Sequence, residues 1–463
     1  MKLVFAMLLS VGIKALAAIL EIIIQILIAN YAGVSGYGDY TFYVSMIECI
    51  YFCVFSGSIK INTFYLSIPA LKISQFKKHY LIKFVLPIAC VLLLIFGIKK
   101  NQYGLLVTII LLVYYAAYDQ SSIFFSRGYQ LPALIGEYVV GRIVMLVGLV
   151  VFLKMKWMNG VWLLILYGIQ FVAMLLWFGL FHRMLPKGRD EINVSITKLL
   201  EYQKSDIANA LISYSPAILQ YIFGGAFSAG FTGIVSLVKK FINFISGPTA
   251  KVFLPEFSRL YREGNRAQIQ KSYLMIVRIQ MLFVGTIGAA LIGFPYLILN
   301  LFSPELQSYT MTFTLAAVCL LMVAGIGPAG GLLQMTDNER ICNIDKWISI
   351  GVMATVCVFM RNNPLFAVYG LCAQSVVEGI LKYCSVCKWF GKQVIPVYNY
   401  LLMWMPILLG RAIVDQFRLQ SSFAALLICV AAVGLWNFLF VWKDPMVQEA
   451  VRNGIKNVKG GFK

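Results

Sequence analysis

Apolar stretches, each long enough to cross a bilayer, follow one another almost without interruption as far as Trp442. A hydrocarbon core about 30 Å thick takes roughly 20 apolar residues of helix, and within it only helices or closed barrels satisfy their own backbone groups. Candidate spans lie near 5–29, 38–58, 80–98, 103–125, 131–153, 158–181, 206–228, 231–250, 273–298, 309–333, 346–360, 364–387, 399–417 and 421–442. The expected fold is all-α: a polytopic membrane protein of about 14 transmembrane helices. With 60% hydrophobic and 13% charged residues, a chain of 463 residues has too little polar surface to clothe a soluble globule.

The net charge of +20 would suggest nucleic acid in a soluble chain, but in a membrane chain loop position is what matters, and no nucleic-acid partner is expected. With a cytoplasmic N-terminus, 26 of the 39 Lys and Arg fall in inner segments, six in outer ones (Lys99, Lys100, Lys154, Lys156, Arg361 and Arg418) and seven inside spans. That asymmetry predicts a multi-pass protein of the bacterial cytoplasmic membrane with both termini inside. The first span is expected to serve as the insertion signal, without a cleavage site after it.

Cysteines fall mostly inside spans, where they act as small hydrophobes. Cys384 and Cys387 form a CxxC, but no second pair accompanies it and the chain has only two histidines, so no metal or cofactor is expected. A GxxxxGK[ST] phosphate loop is absent, which argues against ATP hydrolysis. The outer connections Tyr31 to Tyr37, Gly225 to Gly230 and Phe302 to Ser308 are short, leaving little chain for an enzyme site at the outer face.

The hydrophilic stretch His182 to Lys204 reads as a linker. It suggests an N-terminal lobe over 1–190 (helices 1–6), a C-terminal lobe over 191–395 (helices 7–12) and a terminal helix pair with a cytoplasmic tail over 396–463. A faint repeat fits this plan: Gly33 to Thr41 can be laid on Ser228 to Ser236 at a spacing of 195, with Gly38 and Gly233 identical. Two similar halves around a central site are a common transporter arrangement. Ser215-Pro216, Gly247-Pro248 and the run Gly325 to Gly331 are expected to interrupt helices, the last being the best hinge or, alternatively, a close-packed small-residue contact.

Three segments carry a family likeness. Leu254-Pro255-Glu256-Phe257-Ser258-Arg259-Leu260-Tyr261-Arg262-Glu263-Gly264-Asn265 resembles the "LPxxSRLYxEGD" segment of bacterial polysaccharide flippases. Gly33 through Tyr37-Gly38-Asp39-Tyr40 is similar to their "GxxxYGxY" start of the second helix, and Leu332 to Arg340 to their "LLQATGRTK" segment, with Asp337 in place of the usual glycine. These flippases belong to the multidrug/oligosaccharidyl-lipid/polysaccharide exporter superfamily. The resemblance implies a carrier, not an enzyme, that moves undecaprenyl-diphosphate-linked oligosaccharide across the membrane by alternating access. Its implied partners are the lipid-linked oligosaccharide, membrane lipids, a coupling H⁺ or Na⁺ and envelope polysaccharide assembly proteins.

Buried charge supplies an independent argument for an anionic cargo. A charge at mid-helix costs roughly 2.5 to 3.5 kcal/mol on insertion scales, so such residues face a cavity or a partner. Among the seven cations in spans, Lys382 and Arg411 have Glu378 and Asp415 four residues away on the same helix face. The remaining five, Lys14, Arg142, Lys239, Lys240 and Arg278, are the candidate substrate-binding residues, with snorkelling as the alternative, strongest for Arg278. Lys239 and Lys240 project about 100° apart, so one of them is expected to face the cargo. Glu21, on one face of the first helix with Lys14 and Gln25, and Glu48, Asp119 and Glu137 in later spans of the same lobe are structural partners of these cations, or else Glu21, Glu48 or Asp119 binds a coupling H⁺ or Na⁺. Trp157, Trp162, Trp404, Trp436 and Trp442 fit interfacial anchors. Two other functions compete with the flippase: an ion-coupled drug antiporter of the same superfamily, and an integral membrane glycan transferase or polymerase.

Overall fold

A computed structural model describes residues 2–57, 62, 71–72, 102–157, 159–185, 190–191, 196–336, 338–391, 397–442 and 448. The expected third span, the basic residues from Lys77 to Lys100, Asp337 and the tail from Lys443, apart from Gln448, lie outside the described residues. The chain is an all-α polytopic membrane protein. Helix runs through every other expected span, and among the described residues nine helices are long and apolar enough to cross a membrane. The extended exception is a two-residue parallel pairing of Leu71–Lys72 with Asp190–Glu191.

The described chain falls into two compact units. One comprises Gly12–Gly233, the other Ile234–Lys463 together with Met1–Val11. Packing therefore divides after Gly233, beyond the hydrophilic stretch that ends at Lys204.

Within the first unit lie most of α1 (Lys2–Val54), α2 (Gln102–Ser126), α3 (Gln130–Leu134), a π-helical turn over Ile135–Val140, α4 (Gly141–Met155), α5 (Gly160–Phe181) and the first part of α6 (Ile196–Arg262). Two of these are double length. α1 is bent at Gly33 (φ 73°, ψ 169°) and α6 at Gly225 (φ 83°, ψ 175°), so each makes two limbs. Positive φ is open to glycine at little cost, and a single such residue turns the chain without a loop. The segments expected as outer connections at Tyr31 to Tyr37 and Gly225 to Gly230 are consequently kinked helix. The third, Phe302 to Ser308, is a short 3₁₀ turn over Pro304–Tyr309 entered through Ser303.

The same two glycines reset the internal repeat. Gly33 matches Gly225 in conformation, Val34 matches Ala226 and Gly38 matches Gly230, a spacing of 192 in place of the expected 195. A side chain at Gly38 would overlap the Ala226 carbonyl oxygen, and one at Gly230 would overlap the Val34 carbonyl oxygen. The contact is reciprocal: each glycine accepts the backbone of the other limb against its bare Cα. What repeats is a kink glycine followed five residues later by a packing glycine, and at this spacing both glycines are identical, against one identity at 195.

The expected proline breaks at Pro216 and Pro248 do not occur, since α6 stays helical through both. Beside Pro216 the Ser215 hydroxyl donates to the Leu211 carbonyl at 2.6 Å, one residue before the Ile212 carbonyl whose helical donor the proline removes.

In the second unit, α6 ends in a cap that explains the motif Glu263-Gly264-Asn265. Gly264 takes φ 71°, the Asn265 amide reaches back to the Leu260 carbonyl at 3.0 Å, and the Asn265 side chain then caps α7 (Arg266–Gly293) by accepting from the Gln268 amide at 3.1 Å. Beyond α8 (Pro295–Phe302), α9 (Thr310–Ala324) and α10 (Ala329–Met335) are separated by Gly325 to Pro328, as the small-residue run predicts. Gly327 has φ 81° there, and the buried Tyr273 hydroxyl donates to the Ile326 carbonyl at 2.6 Å, occupying one backbone acceptor that the break exposes. α11 (Glu339–Phe359), α12 (Phe366–Phe390), α13 (Val397–Gln416) and α14 (Phe423–Trp442) complete the unit. Its helices close through small residues: Gly370 lies against Cys357 and the Met353 backbone, Gly285 against Asn437.

Gly38→Val and Gly230→Val should each destabilise the detergent-solubilised protein by about 2 kcal/mol or more, because backbone cannot yield as a side-chain tip can. Gly179→Ala, which meets nothing within 4 Å, is the control. Thermal unfolding curves that coincide for all three variants would refute the interlock.

Candidate functional site

The polar cluster in the first unit is built around Arg142. The π-helical turn Ile135–Val140 immediately precedes it, and such turns inside α-helices occur frequently at functional sites because the extra residue re-aims the side chains that follow. Arg142 Nε lies 2.8 Å from Glu21 Oε2, and its Nη1 donates to Gln170 Oε1 at 3.1 Å. Gln25 donates to the other Glu21 oxygen at 2.7 Å, one turn along α1. Lys14, buried on the same helix, places its ammonium 5.3 Å from the centroid of Tyr138, a cation–π contact. The pairing of Arg142 with Glu21 is what the balance of buried charge favours, since a desolvated guanidinium is stabilised by a carboxylate and further acceptors.

Around this pair run carboxylates held by hydroxyls and amides. Glu48 accepts from the Tyr167 hydroxyl at 3.2 Å, Asp119 from the Asn62 amide at 2.6 Å, and Glu137 from the Ser121 hydroxyl at 2.9 Å. Asn62 also reaches Ser122 at 2.7 Å. Tyr40, Tyr51, Tyr114 and Tyr167 are buried beside them, and Tyr114 stacks with Tyr118 at 4.6 Å. The unit thus brings together Lys14, Arg142, Glu21, Glu48 and Asp119, all singled out from sequence.

A second cluster belongs to the other unit. Lys382 is ion-paired with Glu378, as their spacing predicts, and Gln374 donates to the same carboxylate. Lys239, on α6, interacts electrostatically with both Glu378 and Lys382, so one carboxylate serves two ammonium groups. The Lys239 Nζ is sealed from solvent and has no hydrogen-bond partner among the described residues. Lys240 is exposed, so the adjacent pair does divide between two faces. Arg278 is half-buried on α7. Arg411 pairs with Asp415 at 2.7 Å and also reaches the Ile292 and Gly293 carbonyls at 3.3 Å.

Several members of these clusters escape a reading of charges alone. Gln170, 1% exposed, sits in the very apolar helix α5, and its isolation there was the available signal. Asp345 and Lys346 look like loop residues by position, yet both are buried on α11, with Asp345 accepting from Ser385 at 2.9 Å. Among the described residues no group of His, Cys, Asp and Glu could hold a metal ion, and the Cys384 and Cys387 thiols are free.

No family model and no curated relative matches the amino-acid sequence. Solved structures do match the fold. A MATE multidrug transporter, DinF-BH, aligns at a TM-score of 0.57 and 15% identity, covering 85% of this chain and 96% of that one. A MATE protein in the bent conformation gives 0.54 and 12%, covering 83% and 93%. An inward-facing multidrug resistance MATE family transporter of the MOP superfamily gives 0.53 and 13%, covering 83% and 94%. The chain shares the fold of these MATE proteins. At these identities the likeness is one of fold.

Removing one partner of the Glu21–Arg142 pair should cost more than a surface pair's roughly 1 kcal/mol and less than about 3 to 5 kcal/mol, because Arg142 keeps 32% of its side chain exposed. Glu21→Gln, Arg142→Gln and the double variant form a cycle measured by thermal unfolding. A double variant whose loss equals the sum of the single losses, within about 0.5 kcal/mol, would show that the two do not interact.

Proposed function

We propose that this protein is an alternating-access carrier of the bacterial cytoplasmic membrane, with both termini in the cytoplasm, that moves undecaprenyl-diphosphate-linked oligosaccharide outward for envelope polysaccharide export. The observation that carries the cargo assignment is Lys239: a buried ammonium without a hydrogen-bond partner among the described residues, sharing Glu378 with Lys382. An unneutralised cation in a low-dielectric setting is costly unless an anion arrives, and a diphosphate is an anion that two ammonium groups suit. Arg142, by contrast, is already satisfied by Glu21 and Gln170 and acts as a positioning residue within the first unit.

The fold comparisons favour the other reading, an ion-coupled drug antiporter, because two of the three solved structures above are described as multidrug transporters. The acid-rich cluster of the first unit fits an organic cation, with Glu48 and Asp119 available to bind H⁺ or Na⁺. Both readings share the same cycle. In it, the limbs that interlock at Gly38 and Gly230 form the outer closure and part when the cargo is released.

Lys239→Ala should abolish glycan export with normal protein levels in the membrane, and Lys240→Ala should leave export within about twofold of wild type, given its exposure. Uptake of undecaprenyl diphosphate and of a cationic rhodamine dye into proteoliposomes separates the readings: transport of the dye alone, indifferent to Lys239, would establish the antiporter. Cysteine pairs placed between residues 31–37 and 225–230 should cross-link under oxidation and stop transport until reduced. Unchanged transport by the cross-linked protein would rule out opening at this contact.

A further inference from the structure

Four helix ends of the first unit meet around Asp39, at the membrane face assigned above to the outside. Asp39 lies on the second limb of α1, Tyr103 at the start of α2, Gly160 at the start of α5 and Tyr221 near the end of the first limb of α6. Their rings pack on one another. Tyr43 and Tyr103 stack at 4.9 Å with 3° between planes, Phe42 and Tyr221 stack at 4.1 Å and 15°, and Phe42 meets Tyr43 edge-on at 5.1 Å, which joins the two stacks into one platform. All four rings are half-buried, so each keeps surface that nothing covers.

Two further features make this more than packing. Asp39 accepts one hydrogen bond, from the Tyr221 hydroxyl at 2.8 Å, and no cation pairs with it among the described residues. Gly160 packs beside it: a Cβ there would meet Asp39 Cβ at 3.6 Å and Tyr103 at 3.8 and 3.9 Å, ordinary contact distances. The result is an aromatic platform with a carboxylate that has acceptor capacity left, beside a helix start that carries no side chain.

We propose that this platform is a saccharide-binding subsite that holds a sugar of the cargo at the outer mouth. The inference rests on the lipid-linked oligosaccharide reading. A sugar ring has an apolar C–H face that lies on aromatic rings, and hydroxyl donors that a carboxylate accepts in strong, charge-assisted hydrogen bonds. Few polar groups precisely set among aromatic side chains are the usual composition of a small-ligand site. Placed here, the subsite gives the glycan somewhere to bind that is separate from Lys239 and Lys382 in the other unit. Head group and sugar are thus recognised by different chemistry.

The test uses the full-length protein in fluorescent lipid nanodiscs, probed on an array of bacterial envelope oligosaccharides that carry no lipid. Undecaprenyl diphosphate binding to the same nanodiscs is measured in parallel. Wild type should retain a subset of the saccharides. Asp39→Asn and the double variant Tyr43→Leu/Tyr103→Leu should each lower that retention about tenfold, the order expected for losing a hydrogen bond to a charged group. Tyr103→Phe should keep it, since the ring remains. Retention that is absent in wild type, or equal in wild type and the Asp39 and tyrosine variants, overturns the subsite; so does displacement of the retained saccharides by a cationic rhodamine dye, which would assign the platform to organic cations. Undecaprenyl diphosphate binding that persists in the variants shows that they are folded. If saccharides bind through Asp39 while undecaprenyl diphosphate does not bind at all, the cargo reading falls and the subsite stands. The opposite result removes the subsite alone.

Discussion

A charge inside a hydrocarbon layer must find a partner, and the two compact units meet that requirement differently. In the first, Arg142 is closed by Glu21 and Gln170, Lys14 by the face of Tyr138, and the carboxylates Glu48, Asp119 and Glu137 by hydroxyls and an amide. Such a network is rigid because every member would be costly to strand. In the second, Lys239 and Lys382 share Glu378 and one ammonium is left without a hydrogen bond among the described residues. A unit whose charges are settled suits a frame, and one with an unsettled cation suits a place where something binds.

The backbone obeys the same accounting. Lipid supplies no hydrogen bonds, so the chain can change direction only where its own groups remain satisfied. Gly33 and Gly225 turn two long helices with a single residue each, and the break at Gly325 to Pro328 occurs where Tyr273 can serve an exposed carbonyl. Pro216 and Pro248 show the converse, since α6 runs through both without a break. The bends at Gly33 and Gly225 and the break at Gly327 are thus marked by glycine at positive φ, the last with Pro328 directly after it.

Much of this could be read in the sequence because hydropathy and the helix repeat are local. Span positions, the Glu378–Lys382 and Arg411–Asp415 pairs and the break in the Gly325 to Gly331 run follow from residues within one or two turns of each other. The partner of Arg142 did not follow, because Glu21 is remote along the chain and nothing local selects it from the other carboxylates. Gln170 and Asn62 were invisible for a related reason: an uncharged amide barely alters hydropathy, yet once buried it fixes which carboxylate or guanidinium it serves. The repeat lies 192 and not 195 residues apart because the two glycines the halves share are fixed by a kink and a close backbone contact, which the chemical likeness of the side chains around them does not mark.

That reciprocity has a mechanical consequence. Val34 against Gly230 and Ala226 against Gly38 bring backbone to backbone, the closest approach two helices can make. Contacts of this kind are bistable: van der Waals attraction falls off over a fraction of an ångström, so the limbs are either seated or apart. Phe42 and Tyr43 stand within two turns of Gly38 on the same limb of α1, whereas Tyr221 precedes the Gly225 kink and belongs to the other limb of α6 from Gly230. The Phe42–Tyr221 stack therefore ties the interlocked limb of α1 to the limb of α6 on the far side of the kink. Parting at Gly38 and Gly230 and opening the aromatic stack are two separate events, each with its own contact to break.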